Sequence, residues 1–385
     1  MPEPVYLDHA ATTPVREEVL AAMLPFFGPR FGNPSSVHRW GREARTALDE
    51  ARERVGRCLG ASADEIVFTS CGTEADNMAL IGVWRARRDE GRRAAVSTPI
   101  EHKAVLGALH QIAKEGGEER LLSVDTSGRV IAASVESQLR EDAAVCSVMW
   151  VNNEIGTIQD VPVLAARARR LGVVFHTDAV QAFGKVEIDA RATPFDLLSI
   201  SGHKIGAPKG IGALYIRRGT PMEALMFGGS QDRGRRPGTE NVAMAVGLAC
   251  AAELAAAERE EEVRRLGALR DRLEEALLER LPDAIIHGRG APRAPHVTNL
   301  SLPGTESESM LIALDLRGIA CSAGSACQSG SINPSHVLEA IGVSADVAKS
   351  ALRLSLGALS TDASVDRVID ILPMLVEKAR RLAPA

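Results

Sequence analysis

LLSISGHKIGAPKGIGALYIR, residues 197 to 217, sets two apolar runs around a polar, glycine-rich turn. Leu197 to Ile200 reads as a buried strand. It ends in Ser201, Gly202, His203 and Lys204. Glycines follow at 206, 210 and 212, and a second apolar run, Ala213 to Ile216, closes the unit. A lysine at the mouth of a buried strand is either a side chain that snorkels out to water or an amine in use. Burial disfavours the ammonium form, and a neutral amine is a nucleophile toward carbonyls. Lys204 alone fits the first reading, and its companions decide for the second.

The same alternation runs outward from this unit. Apolar strands are expected at Ile66 to Thr69, Ala94 to Thr98, Arg120 to Val124, Ala144 to Val151 and Val173 to Phe175, with helical spacing between them. Strands alternating with helices over residues 60 to 216 argue for an α/β layer with a mostly parallel sheet, whose ligands bind at the carboxyl ends of the strands. Thr73, His102, Asn153, Asp178 and Lys204 all fall at such ends. Upstream, VYLDHAATTPV is an extended segment and a turn, followed by helices over Arg16 to Phe27 and Arg42 to Leu59. GPRFGNPSSVHRWG (28–41) and GGSQDRGRRPGTEN (228–241) are long polar loops that suit a ligand-facing or interface role. Val242 to Leu281 reads as one long helix or two abutting ones, Ala-rich and then charged. That shift near residue 257 predicts a domain boundary. A large α/β domain of residues 14–258, with a seven-stranded, mostly parallel sheet between helices, is expected beside a small α+β domain of residues 1–13 and 259–385. In the latter, strands fit near Ile285, Thr298 and Leu352, and helices fit Ser307 to Leu316, Ser335 to Ile341 and Val365 to Arg381.

Composition excludes several function classes. The 385 residues are 45% hydrophobic and 25% charged, with a net charge of −5, so neither nucleic acid nor an anionic membrane is an expected partner. No apolar run is long enough to span a bilayer, and no apolar stretch follows a basic start, so a cytoplasmic protein is expected. The six cysteines are expected to be reduced. None is spaced as Cys-x-x-Cys, so no catalytic metal ligand is expected.

The strand-end residues meet the needs of pyridoxal phosphate: a lysine for its aldehyde, a carboxylate for its pyridine nitrogen, a phosphate cradle and a face for its ring. Lys204 suits the first, Asp178 the second, and Gln181 on the same turn the ring hydroxyl. Gly72 and Thr73, at a strand-to-helix junction, suit the phosphate together with Ser201 and His203. His102 suits ring stacking and proton transfer. Each has a plainer alternative, such as a helix cap at Thr73 or a strand-end cap at Asp178. The conjunction in this chain order carries the reading. In GIACSAGSACQSGSINPSHVL (318–338), Cys327 sits among Ala, Gly, Ser and Gln, a composition that predicts a mobile loop with an exposed thiol. Cys321 follows a strand-like run and is expected to be buried.

With these residues in view, the sequence resembles the class I cysteine desulfurases of the NifS/IscS type, which are fold-type I pyridoxal phosphate enzymes. The resemblance spans nearly the whole chain: YLDHAATTPV, FGNPSSVHRWGREAR, TSCGTEADN, EHKAV, VNNEIGTIQD, HTDAVQ, SGHKIGAPKGIGALY, RRPGTEN, SAGSACQS and ALRLSLG. It implies a homodimeric sulfurtransferase that takes sulfur from L-cysteine, releases L-alanine and passes the sulfur to an acceptor protein. That acceptor would be an iron–sulfur scaffold or a thiolation protein. The resemblance implies Lys204 as the Schiff-base lysine, Cys327 as the persulfide-forming nucleophile and His102 over the ring. It implies Asp178 and Gln181 on the ring, and Gly72, Thr73, Ser201 and His203 on the phosphate, joined by Thr239 from the partner subunit. Asn153 is implied at the cofactor and, with Arg353, at the substrate carboxylate, with Asn33 nearby. Cys327 could also ligate an iron–sulfur cluster during transfer. Two departures leave the acceptor open. Gln328 stands where Thr or Ala is common, and the sequence ends at Ala385 without the longer tail by which some members dock a scaffold. The rival readings are a lyase acting on selenocysteine, an aminotransferase, and a non-catalytic assembly subunit. A thiol loop has no use in an aminotransferase, and the intact Lys204, Asp178 and His102 argue against a decayed site.

Overall fold

The apolar runs assemble into one twisted sheet in the computed structural model, which describes residues 3–323 and 335–382. The strands are β1 (Val5–Tyr6), β2 (Ile66–Thr69), β3 (Ala94–Ser97), β4 (Glu118–Leu121), β5 (Ala143–Ser147), β6 (Val174–Asp178), β7 (Leu197–Ser201), β8 (Gly212–Ile216), β9 (Ile285–Ile286), β10 (Val297–Ser301), β11 (Ile319–Ala320) and β12 (Ala351–Ser355). The helices are α1 (Glu17–Met23), α2 (Arg39–Leu59), α3 (Gly72–Arg87), α4 (Lys103–Lys114), α5 (Ala132–Gln138), α6 (Val161–Arg170), α7 (Val242–Arg280), α8 (Ser307–Asp315), α9 (His336–Ala340), α10 (Ala345–Ala348) and α11 (Asp362–Leu382).

Seven strands form the large sheet in the order β2-β8-β7-β6-β5-β3-β4. β3 to β7 run parallel, and β8 is antiparallel to both its neighbours. β5 to β8 are buried at every position, as strands covered by helices on both faces must be. From β3 the chain goes first to β4 on one side and then to β5 on the other. The crevice between the ends of β3 and β5 is therefore the switch point at which such sheets bind ligands.

Several boundaries differ from the sequence reading. β4 spans Glu118–Leu121, not 120–124, because an edge strand keeps its carboxylates in water. There Arg120 is held by Glu118 and Asp142. β5 ends at Ser147, although the apolar run continues to Val151. Val148 and Trp150 remain buried and donate to the carbonyls of His176 and Asp178. β6 extends past Phe175 through His176, Thr177 and Asp178, polar residues that are buried in the strand. Helix α3 also begins at Gly72, ahead of Glu74, with Cys71 as its N-cap.

Val242–Arg280 is a single helix. Its first turns, including Leu248, pack in the core around the large sheet, and Leu266, Leu269, Leu273 and Leu277 pack in a second core. That second core also contains Val5, Leu7 and the buried side of α11, and it covers the sheet β12-β10-β9. β1 pairs in parallel with β11, so the N-terminal segment enters the large layer from the second core. Among the described residues, no helix is long and apolar enough to cross a membrane.

Leu273 is fully buried in the second core. Leu273→Ala should destabilise the protein by about 2–5 kcal/mol, through lost transfer energy and the cavity left behind. Urea unfolding monitored by circular dichroism measures this.

Candidate active site

Strand ends, helix N-termini and the N-terminal segment enclose a cavity of about 350 Å³. Of the residues singled out from sequence, Gly72, Thr73, His102, Asn153, Asp178, Gln181, Ser201, His203, Lys204 and Arg353 line it. Asn33 and Thr239 do not line the cavity of their own chain. Both are exposed, and Asn33 Oδ1 accepts from the Ser35 N–H at 2.9 Å. Cys327 lies outside the described residues. Cys321, expected to be buried, is half-buried against the second core, and burial pushes its thiol up to about 12.

The floor of the cavity is the start of α3. Cys71 caps it without a side-chain hydrogen bond, so the first N–H groups of the helix are available to an anion, with the positive end of the helix dipole behind them. A Cβ at Gly72 would stand 2.8 Å from Val180 Cγ2, so only glycine lets the helix approach the turn after β6 this closely. Ser201 ends β7 beside it, and His203 Nδ1 lies 3.2 Å from Thr12 Oγ1. Burial pushes His203 down to about 4, so its ring is neutral near pH 7.

Lys204 stands in the short 3-10 turn that follows β7. Its Nζ donates to the carbonyls of Ala10 and Ala11 at 2.6 and 2.7 Å. Gln181 Nε2 donates to Ala10 O at 2.9 Å, and His296 Nε2 meets Gln181 Oε1 at 3.0 Å. Asp178 is 5% exposed, and its Oδ1 accepts from Val180 N–H at 2.8 Å. Burial pushes this carboxyl up, while the charge of His102, the Val180 N–H and Lys204 oppose the shift. His102 caps α4, its Nδ1 accepting from Ala104 N–H at 3.2 Å. Burial lowers its pKa, against the charge of Asp178. Nδ1 being an acceptor, the neutral ring carries its proton on Nε2.

Arg353, from β12, is 1% exposed. Nη1 donates to Asn153 O and Nη2 pairs with Asp8, each at 3.0 Å, and Nε has no hydrogen-bond partner among the described residues. A buried guanidinium with donor capacity left over suits a carboxylate ligand.

The sequence reading missed the buried acids around these groups. Glu101, fully buried, accepts from Thr98 Oγ1 at 2.7 Å and from Met149 N–H at 2.9 Å. It thereby ties the end of β3 to the segment after β5, across the switch point. Asp76 and Glu154 also line the cavity, and Ser335 Oγ donates to Glu154. The available signals were an acid directly before His102 and an acid one helical turn beyond Thr73.

These residues fit pyridoxal phosphate. The open N-terminus of α3 and the glycine-dependent approach at Gly72 suit its phosphate, the buried Asp178 its ring nitrogen, and Lys204 its aldehyde. The aminotransferase class-V family model matches residues 5–368. The chain belongs to the aminotransferase class-V family. Full-length relatives place it in the NifS/IscS branch, whose cofactor is pyridoxal phosphate. It is 45% identical over 384 residues to "Cysteine desulfurase IscS" of Dictyoglomus turgidum, covering 100% of this chain and 97% of the relative. It is also 45% identical over 381 residues to "Cysteine desulfurase NifS" of Azotobacter vinelandii, covering 99% and 94%. A solved NifS-like protein superposes with a TM-score of 0.91 at 35% identity, covering 98% of this chain and 100% of its own. A NifS-like protein from Rickettsia africae gives 0.87 at 29%, covering 97% and 100%.

Burial pushes Glu101 up from 4.5 to about 8. The folded protein therefore holds a proton there that the unfolded chain loses near 4.5, and stability falls as pH rises from that value through about 8. Glu101→Gln is neutral throughout, so its stability should fall less between about pH 5 and about pH 8.5 in urea unfolding. An equal fall in both proteins would contradict the buried, protonated Glu101.

Proposed function

We propose that this chain is a cysteine desulfurase: it takes the sulfur of L-cysteine, releases L-alanine and leaves the sulfur as a persulfide on Cys327. An acceptor protein, an iron–sulfur scaffold or a thiolation protein, then receives the sulfur. The observation that carries the reading is the convergence of Lys204, Asp178, His102 and Arg353 on one cavity with the open N-terminus of α3.

Bound pyridoxal phosphate supplies an electron-poor ring that draws electrons from the substrate carbon attached to it. The protein's residues do the rest. Gly72, Thr73, Ser201 and His203 hold the phosphate, and the neutral His203 serves as a hydrogen-bond partner without adding charge. Asp178 would keep the ring nitrogen protonated, and Gln181 would hold the ring oxygen. Lys204 would hold the aldehyde, and its amine is the group in the cavity placed to take a proton from the substrate Cα. His102 would face the ring and move protons at Nε2, since Nδ1 is engaged with the backbone of α4. Arg353 and Asn153 orient the substrate carboxylate, and the unpartnered Nε of Arg353 supports this role. The Cys327 thiolate attacks the substrate sulfur: an S–S bond forms, the C–S bond breaks with its electron pair returning to carbon, and protonation yields alanine.

The enzyme in this reading is a homodimer in which Thr239 reaches the partner's cavity. Its exposed position away from the cavity of its own chain supports that arrangement. The division into residues 14–258 and residues 1–13 with 259–385 belongs to the same reading. Two hydrophobic cores joined by α7 support it.

The function itself is tested by following alanine and sulfide released from L-cysteine with and without a thiol reductant. Lys204→Ala should lack the visible absorption band of the wild-type protein. A surviving band would remove Lys204 from its role.

Cys327→Ser should keep that band yet release alanine at least about 100-fold more slowly, a barrier higher by roughly 2.7 kcal/mol. Wild-type protein treated with cysteine should gain about 32 Da per sulfur on the Cys327 peptide, removable by reductant. Normal turnover by Cys327→Ser, or sulfur found on Cys321 alone, would refute the assignment.

A further inference from the structure

Asp76, like Glu154, is a cavity-lining carboxyl that the reaction above leaves without a task. It sits on α3 one turn beyond Thr73 and is 1% exposed. Beneath it lies a buried polar chain. Ser147 Oγ is 2.8 Å from His176 Nδ1, and His176 Nε2 is 2.9 Å from Ser199 Oγ and 3.6 Å from Asp76 Oδ1. Ser199 also hydrogen-bonds the Asp76 carboxyl, whereas Asp76 Oδ1 has no hydrogen-bond partner among the described residues.

The protons of this chain can be assigned. Burial pushes His176 down to about 3, so its ring is neutral and the contact with Asp76 is not an ion pair. A neutral imidazole donates from one nitrogen and accepts at the other. Ser199 donates to Asp76, so it accepts from His176 Nε2–H. That leaves His176 Nδ1 to accept from the Ser147 hydroxyl. Every hydroxyl then points one way, toward Asp76.

The two aspartates of the cavity differ in what surrounds them. Asp178 faces His102, Lys204 and the Val180 N–H, all of which favour a carboxylate. Asp76 lies in the field of the Asp178 carboxylate, and the Ser199 hydroxyl is the contact that opposes it. Two buried carboxylates in one cavity cannot both ionise at little cost, and the proton goes to the less compensated one. Burial together with Asp178 raises the Asp76 pKa well above the ordinary carboxyl range.

We propose that Asp76 is a positioning residue, the uncharged member of a carboxyl pair. Held by the Ser147–His176–Ser199 chain with its proton on Oδ1, it leaves Asp178 alone to present negative charge to the cofactor's ring nitrogen. The proposal rests on the assignment of Asp178 to that nitrogen and adds which of the two acids carries the proton. It explains why a helix that supplies the phosphate cradle can also bring an acid against Asp178 without doubling the charge there.

Infrared difference spectroscopy of the holoenzyme near neutral pH reads the proton directly. Wild type minus Asp76→Asn should show a protonated-carboxyl C=O band, separate from that of Glu101, and Asp178→Asn should retain that band. The visible absorption of the bound cofactor gives a second readout. Asp76→Asn replaces one neutral group by another, so the pH midpoint of the band should move by less than about half a unit. Loss of a full negative charge from the same cavity would move it by about a unit or more. Should Asp76→Asn fail to fold, Ser199→Ala substitutes for it: removing the hydroxyl that bonds Asp76 should shift the carboxyl band to higher frequency. The proposal is overturned by absence of the band in wild type, by its persistence in Asp76→Asn, by a midpoint shift above half a unit, or by an unmoved band in Ser199→Ala. Failure of the Asp178 assignment looks different: Asp178→Asn would turn over cysteine at a rate near wild type while the Asp76 band stayed in place.

Discussion

A carboxylate buried at the end of a parallel strand is the constraint around which this molecule is built. Asp178 is 5% exposed, and an uncompensated charge at such depth costs several kcal/mol. The surrounding elements each supply part of the compensation. The turn after β6 offers the Val180 N–H, the cap of α4 brings His102, and the turn after β7 brings Lys204. The same three elements wall the cavity, so the groups that make Asp178 tolerable are also the groups that surround a ligand. In the proposed function a pyridinium would add to this compensation, which would link cofactor binding to the stability of the site.

The second constraint is the junction of the two cores. Arg353 reaches from β12 to the Asn153 carbonyl and to Asp8, and His296 reaches from the start of β10 to Gln181. Ala10 and Ala11 offer their carbonyls to Lys204 and Gln181. The cavity is thus closed by segments packed on the second core, while its floor belongs to the large sheet. α7 connects the two by lying in both cores along a single helix, so the walls are set by packing rather than by a flexible hinge.

A third feature is the polar network buried inside the large sheet. Ser97, Ser147, His176 and Ser199 run through the interior of the sheet as hydrogen-bonded neighbours on β3, β5, β6 and β7. Buried hydroxyl and imidazole groups are tolerated because each finds a partner on the next strand. The network ends at Asp76 and so reaches the cavity. Glu101 plays a comparable part at the switch point, where its bond to the Met149 N–H ties the segment after β3 to the segment after β5, beyond their last ladder pair Val96–Cys146.

The local pattern of the sequence already carried the strand–helix alternation, the lysine at a strand mouth and the glycine–threonine junction. Those rest on periodicity and turn chemistry, which act over a few residues. It also carried the motifs that mark the NifS/IscS branch. What it could not carry was the pairing of distant segments. Asn153 and Arg353 are 200 residues apart and meet only because β12, in the second core, lies against the loop after β5. The strand β6 was read as ending at Phe175 because His176, Thr177 and Asp178 are polar, and polarity alone signals solvent. Only neighbouring strands that present Ser147 and Ser199 make those residues interior. The burial of Glu101 and Asp76 follows the same logic: an acid beside a helix start looks like an exposed cap until the sheet and its covering helices exclude water from it. Sequence determined the elements and the chemistry available at their ends. Tertiary structure decided which of those groups lie away from water, and burial sets how far each titrating group moves from its ordinary value.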